Sequence, residues 1–227
     1  MKHFALIVAG GSGQRMHSEV PKQFLLLAGR PVLMHTVERF TESGCQVVVV
    51  LPGQHIAYWQ QLCVQYQFDL PHTVAEGGGT RIESVMNGLQ HVPADALVAV
   101  HDGVRPLVRK QMIDDGFRMA EEKGSAVPVV PLSDSIRQLT AEGSRSLSRD
   151  GFRLVQTPQI FRAAELKKAY ALMADDERIE LLTDDASVFE AAGGYICLYE
   201  GEPTNIKITT PSDLILAESY YAQYQRL

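Results

Sequence analysis

The sequence predicts a doubly wound, three-layer α/β fold, in which helices cover both faces of a mostly parallel sheet. Three observations predict it. Apolar runs of strand length at residues 4–9, 46–51, 97–100 and 126–130 are continuous rather than alternating, as in strands buried on both faces. Segments with helical spacing alternate with those strands through the first half of the chain. Two of the strands run straight into glycine-rich turns, at Gly10-Gly11-Ser-Gly13 and Gly77-Gly78-Gly79, which is where such folds present backbone to ligands.

Each element has a local reason. The run at 4–9 supplies the first strand. After Gly29, Pro31 is placed to open a helix whose Leu33, Val37 and Phe40 share one face, and Gly44 is placed to close it. The β-branched run 46–51 is the second strand, followed by a helix over about 56–66 and a short strand near Val74. Val85, Met86 and Leu89 mark a helix after the second glycine turn. The strand at 97–100 ends in His101-Asp102-Gly-Val-Arg105-Pro106, and a helix over about 111–123 leads to the strand at 126–130.

The character of the chain then changes. Residues 132–155 are short polar stretches with too few apolar side chains for a core of their own, and they read as an exposed β-arm packed on the main body or on a second subunit. Gln156-Thr-Pro-Gln159 brings the chain back, with a helix over about 163–173. Thr183 reads as the N-cap of another helix. A strand is predicted at 195–199, and another within 205–209 ahead of a helix that starts at Thr210-Pro211.

Composition limits the function classes. With 227 residues the chain buries a substantial core and reads as one domain, 1–227. Its formal charge of −6 gives no general attraction to nucleic acid or to an anionic membrane, so neither is expected as a partner and any anion site must be locally focused. The amino-terminal apolar run is broken by glycines too early for a signal peptide or a span. Cys45, Cys63 and Cys197 lack Cys-x-x-Cys spacing and read as reduced thiols of a cytoplasmic protein.

The first glycine turn carries the chemistry. Gly10, Gly11 and Gly13 let consecutive backbone N–H groups converge on an anion, and Arg15 and Lys22 add charge. The turn is not a dinucleotide fingerprint, because position 16 is Met and the second strand ends in Leu-Pro-Gly-Gln without a ribose acid. Nor is it a P-loop, since no Gly-Lys-Ser/Thr follows. Asp102, at the carboxyl end of a strand, suits a metal ligand, although a helix or turn cap has the same signature. Ser84 reads equally as a turn residue, and Lys207 reads first as a solvated edge lysine, until the segments are taken together.

Taken in order, AGGSGQRM, PKQF, HDGVRP, QTPQ with TDDAS, and NIKITTPSDL resemble the 2-C-methyl-D-erythritol 4-phosphate cytidylyltransferases over nearly the whole chain. The ribitol 5-phosphate cytidylyltransferases are closely similar. The resemblance implies a Rossmann-like nucleotidyltransferase fold with a protruding β-arm that interlocks a homodimer. It implies Mg²⁺ dependence, and transfer of CMP from CTP to a sugar-alcohol phosphate with release of pyrophosphate. By the same resemblance Arg15, Lys22 and Lys207 are catalytic, and Ala9, Gly10, Gly11, Gly13, Gly78, Gly79, Ser84 and Asp102 bind the nucleotide. Asp102 also holds the metal, and Arg105, Arg149, Thr157 and Thr183 hold the acceptor. Gly79 stands where the family often has an acidic residue, which leaves backbone contacts at that point.

The chemistry is consistent with this. A phosphate monoester is mostly dianionic at neutral pH and needs no general base, so what the reaction requires is cations placed around the transferring phosphorus. A nicotinamide-dependent reductase is opposed by the missing third glycine and ribose acid. A non-catalytic nucleotide-binding regulator would not need Arg15, Lys22, Asp102 and Lys207 together.

Overall fold

The computed structural model describes residues 1–10, 20–174, 176, 177 and 181–224. Its main sheet is built on β1 (His3–Val8), which lies between β4 (Gln46–Leu51) and β6 (Leu97–Asp102), parallel to both. On the outer side of β4 comes β5 (His72–Glu76), also parallel. Beyond β6 lie β11 (Gln159–Arg162) and β7 (Ser125–Pro131), and β7 also pairs with β10 (Arg153–Val155) and β12 (Leu198–Glu200). A small hairpin of β2 (Leu26–Leu27) and β3 (Arg30–Pro31) precedes the first helix.

The two faces of the sheet are covered by different helices, as continuous apolar strands require. One core layer joins Ala5, Ile7, Val47 and Val49 to α1 (Val32–Glu42), α2 (Gly53–Gln65) and α4 (Lys110–Lys123), through Leu33, Phe40, Trp59 and Phe117 among others. The opposite layer joins Phe4, Leu6, Val48 and Val98 to α3 (Arg81–Leu89), α5 (Ala163–Met173) and α6 (Asp185–Ala191), through Val85, Leu166 and Phe189. A third cluster seats α7 (Pro211–Tyr224) by Ala217 against Leu27, Val32, Val104 and Ile208.

This winding makes a switch point. The chain leaves β1 for β4 on one side and reaches β6 on the other, so a crevice opens where the carboxyl ends of β1 and β6 part. Three backbone bonds fix the turns there: Gly103 N–H donates to the Val8 carbonyl, Ala9 N–H to Val50, and Gly77 N–H to Leu51.

Several expectations need correction. The strand β11 was not foreseen; it is antiparallel to β6 and β7, and four residues behind a proline carry too little periodicity to signal it. No strand forms within 205–209, where the chain instead runs as a loop. Asp184, not Thr183, caps α6: its carboxylate accepts from Ser187 N–H at 2.9 Å. The strand predicted at 195–199 is reduced to β12, and α2 begins three residues before the expected 56. Of residues 132–155, the hairpin of β8 (Ile136–Thr140) and β9 (Gly143–Leu147) pairs only with itself, while β10 returns to the main sheet.

Candidate active site

At the switch crevice a cavity of about 200 Å³ opens, walled by Ala9 and Gly10 from the end of β1, Lys22 and Gln23, and the second glycine turn with Ser84. Asp102, Arg81 and Lys207 complete its charged lining. The second turn is both a helix cap and a wall. Thr80 accepts from Glu83 N–H at 3.1 Å while Glu83 accepts from Thr80 N–H at 3.0 Å, a reciprocal capping box that starts α3. Ser84 Oγ donates to the Thr80 carbonyl at 2.8 Å and accepts from Gly78 N–H at 3.1 Å. A Cβ on Gly77 would lie 2.8 Å from that oxygen, so glycine is needed for the turn to approach the serine.

Asp102 is the centre of charge. Its side chain is 11% exposed, and Oδ2 receives Arg105 Nε at 3.0 Å and Lys207 Nζ at 3.1 Å. Burial alone would raise its pKa; Lys207, then Arg105 and Arg81, outweigh that and hold the carboxyl well below the usual range. Lys207 owes its position to a loop in which Asn205 and Ile208 are fully buried, Ile208 N–H being bonded to the Val104 carbonyl. The alternation expected of a strand therefore survives without one.

Asp102 is itself held from behind. Its N–H donates to Thr157 Oγ1 at 3.1 Å, and that hydroxyl lies 3.0 Å from His101 Nδ1. His101 Nε2 meets the Arg105 carbonyl at 3.1 Å, so the ring is neutral with its proton on Nε2 and takes the threonine proton on Nδ1. Burial brings its pKa down to about 4, against the smaller upward pull of the Arg105 carbonyl. Asn205 closes the loop by donating to the Thr157 carbonyl at 2.8 Å and accepting Arg105 Nη1 on its own carbonyl at 2.7 Å.

A second cavity, of about 650 Å³, lies beside the first, lined by Arg105, the end of β7, Leu154 to Gln156, Asn205 and Lys207. Among the described residues Lys207 is the one that lines both cavities.

The structure thus brings Ala9, Gly10, Lys22, Gly78, Gly79, Ser84, Asp102 and Lys207 around one space, with Arg105 joined to it through Asp102. Gly11, Gly13 and Arg15 lie outside the described residues. Thr157 lines neither cavity, its hydroxyl being spent on His101 and the Asp102 backbone, and Thr183 is exposed at the start of α6. Arg149 sits on a 3₁₀ turn, Arg149–Gly151, beyond the hairpin, with its guanidinium on the Ser133 carbonyl, and lines neither cavity.

Sequence reasoning passed over Arg81. It lines the first cavity and pairs at 2.5 Å with Asp185, which is fully buried and also accepts from Tyr170 Oη at 2.7 Å. That pair ties the second glycine turn to the Thr183-Asp184-Asp185 segment. Asn205 was passed over as well. Asn205 stands in the NIKITTPSDL segment and Arg81 just after the second glycine turn, but only their partners across the fold reveal what they hold.

A cavity at the carboxyl ends of parallel strands, walled by glycine backbone with lysines beside a single carboxylate, is the arrangement by which open α/β proteins hold phosphates. The family described as 2-C-methyl-D-erythritol 4-phosphate cytidylyltransferase matches residues 3–223. A protein of that name from Porphyromonas gingivalis is 50% identical over 218 residues, spanning 96% of each chain. One from Phocaeicola vulgatus is 46% identical over 220 residues, 96% of this chain and 99% of its own. The crystal structure of 2-C-methyl-D-erythritol 4-phosphate cytidylyltransferase from Thermus thermophilus is 33% identical, with a TM-score of 0.76 over 98% of this chain and 100% of that one. That from Francisella tularensis is 29% identical, with a TM-score of 0.80 over 99% and 100%. The chain belongs to the 2-C-methyl-D-erythritol 4-phosphate cytidylyltransferase family.

Proposed function

We infer that this chain transfers the cytidylyl group of CTP to the phosphate of 2-C-methyl-D-erythritol 4-phosphate, in the non-mevalonate route to isoprenoids. The products are 4-diphosphocytidyl-2-C-methyl-D-erythritol and pyrophosphate. The observation that carries this reading is Lys207, whose ammonium stands between two cavities and 3.1 Å from Asp102. In this reading CTP occupies the glycine-walled cavity and the acceptor occupies the second. An oxygen of the acceptor phosphate forms the new bond to the α-phosphorus as the bond to pyrophosphate breaks, with no proton to remove. Lys22 and Lys207 offset charge on the phosphoryl oxygens and leaving group, and Arg15 is assigned the same task from the first glycine loop. The second glycine turn and Ser84 offer backbone and hydroxyl groups to the cytidine.

Mg²⁺ is part of this proposal. Among the described residues no cluster of three or more His, Cys, Asp or Glu side chains could cage a metal. A lone carboxylate suits Mg²⁺, which retains waters and takes substrate phosphate oxygens beside one or two protein carboxylates. Asp102 fits, because both cations engage its Oδ2, and Oδ1 remains the oxygen for a metal. When bound, the ion would offset charge on the triphosphate.

The chain is proposed to act as a homodimer. Phe152, Leu154 and Val155 are 45%, 54% and 46% exposed at the root of the arm, a patch that a second copy would cover. Arg149, which meets neither cavity of its own chain, would then reach the acceptor phosphate of the other. Thr157 and Thr183 are proposed to act on the acceptor side by position rather than by free hydroxyl contacts. Three free cysteines, and the absence among the described residues of any helix long and apolar enough to cross a membrane, support a cytoplasmic setting.

The test is pyrophosphate release from CTP and Mg²⁺ with methylerythritol phosphate or ribitol phosphate as acceptor. Strong preference for the first is expected. Preference for ribitol phosphate would keep the site and change the pathway, and release with neither would leave a nucleotide-binding regulator.

A further inference from the structure

One side chain on the wall of the nucleotide cavity has polar needs that the described protein does not meet. Gln23 is 1% exposed, and neither its Nε2 nor its Oε1 has a hydrogen-bond partner among the described residues. It lines the cavity together with Gly10, Lys22 and Lys207. Its backbone is fixed on a 3₁₀ turn, Lys22–Phe24, where Phe24 N–H bonds the Pro21 carbonyl at 2.8 Å. Phe24 is 3% exposed and edge-on to Tyr58 and His55, with ring centroids 5.2 and 5.9 Å away, so the turn cannot roll Gln23 out to water without unpacking that cluster.

A buried amide without partners disfavours the empty chain, since a leucine or methionine there would bury the same volume without stranding a donor and an acceptor. Two buried glutamines near the site are spent on the protein, and Asn205 donates through Nδ2 to the Thr157 carbonyl while its Oδ1 has no partner among the described residues. Gln156 Nε2 donates to the Glu202 carbonyl, and Gln159 bridges Asp184 and the Ala186 N–H. Gln23 differs from them in that both of its polar atoms lack a partner among the described residues, on the wall of the cavity proposed to hold the nucleotide.

We propose that Gln23 is a nucleotide-contacting residue that orients the phosphate chain of the nucleoside triphosphate. This rests on the reading that CTP occupies the first cavity. Nε2 supplies two N–H donors to phosphate oxygens, which are acceptors only, and Oε1 takes a water ordered by the bound triphosphate. The lysines on the same wall attract the triphosphate as point charges and leave its rotation open. A planar amide with fixed donor directions restricts that rotation, as an in-line displacement requires.

Gln23→Met, which keeps length and removes both polar atoms, tests this on the full chain with two readouts. Thermal unfolding of the variant without ligand should move upward by a few degrees, because the stranded amide is gone. Its affinity for CTP should fall about tenfold or more, the size of a hydrogen bond to a charged group, while its affinity for cytidine, followed by NMR titration, stays within twofold of wild type. A CTP affinity within twofold of wild type, an equal loss for cytidine and CTP, or a lower unfolding temperature without ligand would overturn the proposal. Failure of the wild-type chain to bind CTP would sink the functional reading together with it, whereas wild-type binding that the variant retains sinks this proposal alone.

Discussion

The switch crevice and the arm sit at opposite extremes of the same chain. In the crevice three functional residues are each fastened from more than one direction: Asp102 by Arg105, Lys207 and Thr157, Thr157 by His101 and Asn205, and Ser84 by Gly78 and Thr80. On the arm, β8 and β9 bond only to each other, Leu139 is 84% exposed, and Arg149 spends its guanidinium on one nearby carbonyl. Preorganised charge needs a rigid setting, and the crevice supplies it from its own chain. A two-stranded hairpin without a core is marginal by itself, so an arm of this kind has a purpose only when something packs on it.

The largest effects should come from the cations of the crevice. Lys207→Met and Lys22→Ala should each lower kcat about 100-fold or more in the pyrophosphate assay, with cytidine binding little changed. A kcat near wild type in either would remove that lysine from the chemistry. Asp102→Asn should lower turnover comparably, and should also lower stability by about 3 kcal/mol, because Arg105 and Lys207 lose the charge they are paired with. Denaturant unfolding of the full chain checks the second part. An unchanged midpoint would mean that the two cations do not depend on this carboxylate.

An intermediate effect is expected on the arm. Phe152→Glu should yield monomers by analytical ultracentrifugation, and KM for the acceptor should rise about tenfold or more as Arg149 is withdrawn. Full activity as a monomer would show that the crevice is complete alone. A smaller, pH-dependent effect belongs to His101. Its folded pKa, about 4, lies below the ordinary value of 6.5, so the unfolded chain binds the proton first as pH falls. Stability from this group is intact above about 6.5 and declines toward 4 by about 3 kcal/mol, at ~1.36 kcal/mol per pH unit. His101→Asn should flatten that part of the stability profile, while His3 and His35, lowered chiefly by burial, add to the slope in both proteins.

The same contrast explains what could be read from the sequence. Strands β1, β4 and β6 and helices α1, α3 and α5 were legible because burial on both sheet faces leaves continuous apolar runs, and because helical spacing and punctuation such as Pro31 and Gly44 around α1 leave a local signature. The glycines, Arg15 and Lys22 were legible as a phosphate-site pattern after a strand, whereas Asp102 took its reading from that pattern and Lys207 only from the resemblance of the segments taken together. What was illegible depends on partners far along the chain. β11 is a strand only because β6 and β7 flank it, and Arg81 is a tether only because Asp185 is buried 104 residues later. That the Thr157 hydroxyl lies between His101 and the Asp102 backbone is visible only in the fold, and Asp184 takes the cap that Thr183 was expected to supply.

The comparison resolves into one claim: a working site joins the crevice of one chain to the arm of another. Mixing the variants Lys207→Met and Arg149→Ala, assayed with acceptor well below the wild-type KM, tests it directly. In a mixed dimer one site then carries both lesions and the other carries none. The account predicts that pyrophosphate release, absent or feeble in either variant alone, returns on mixing and refolding to roughly a quarter of the wild-type rate, since about half of random dimers are mixed and each holds one intact site. No recovery, with mixed dimers demonstrated by mass spectrometry, would place Arg149 at its own chain's site or at none, and would contradict the claim.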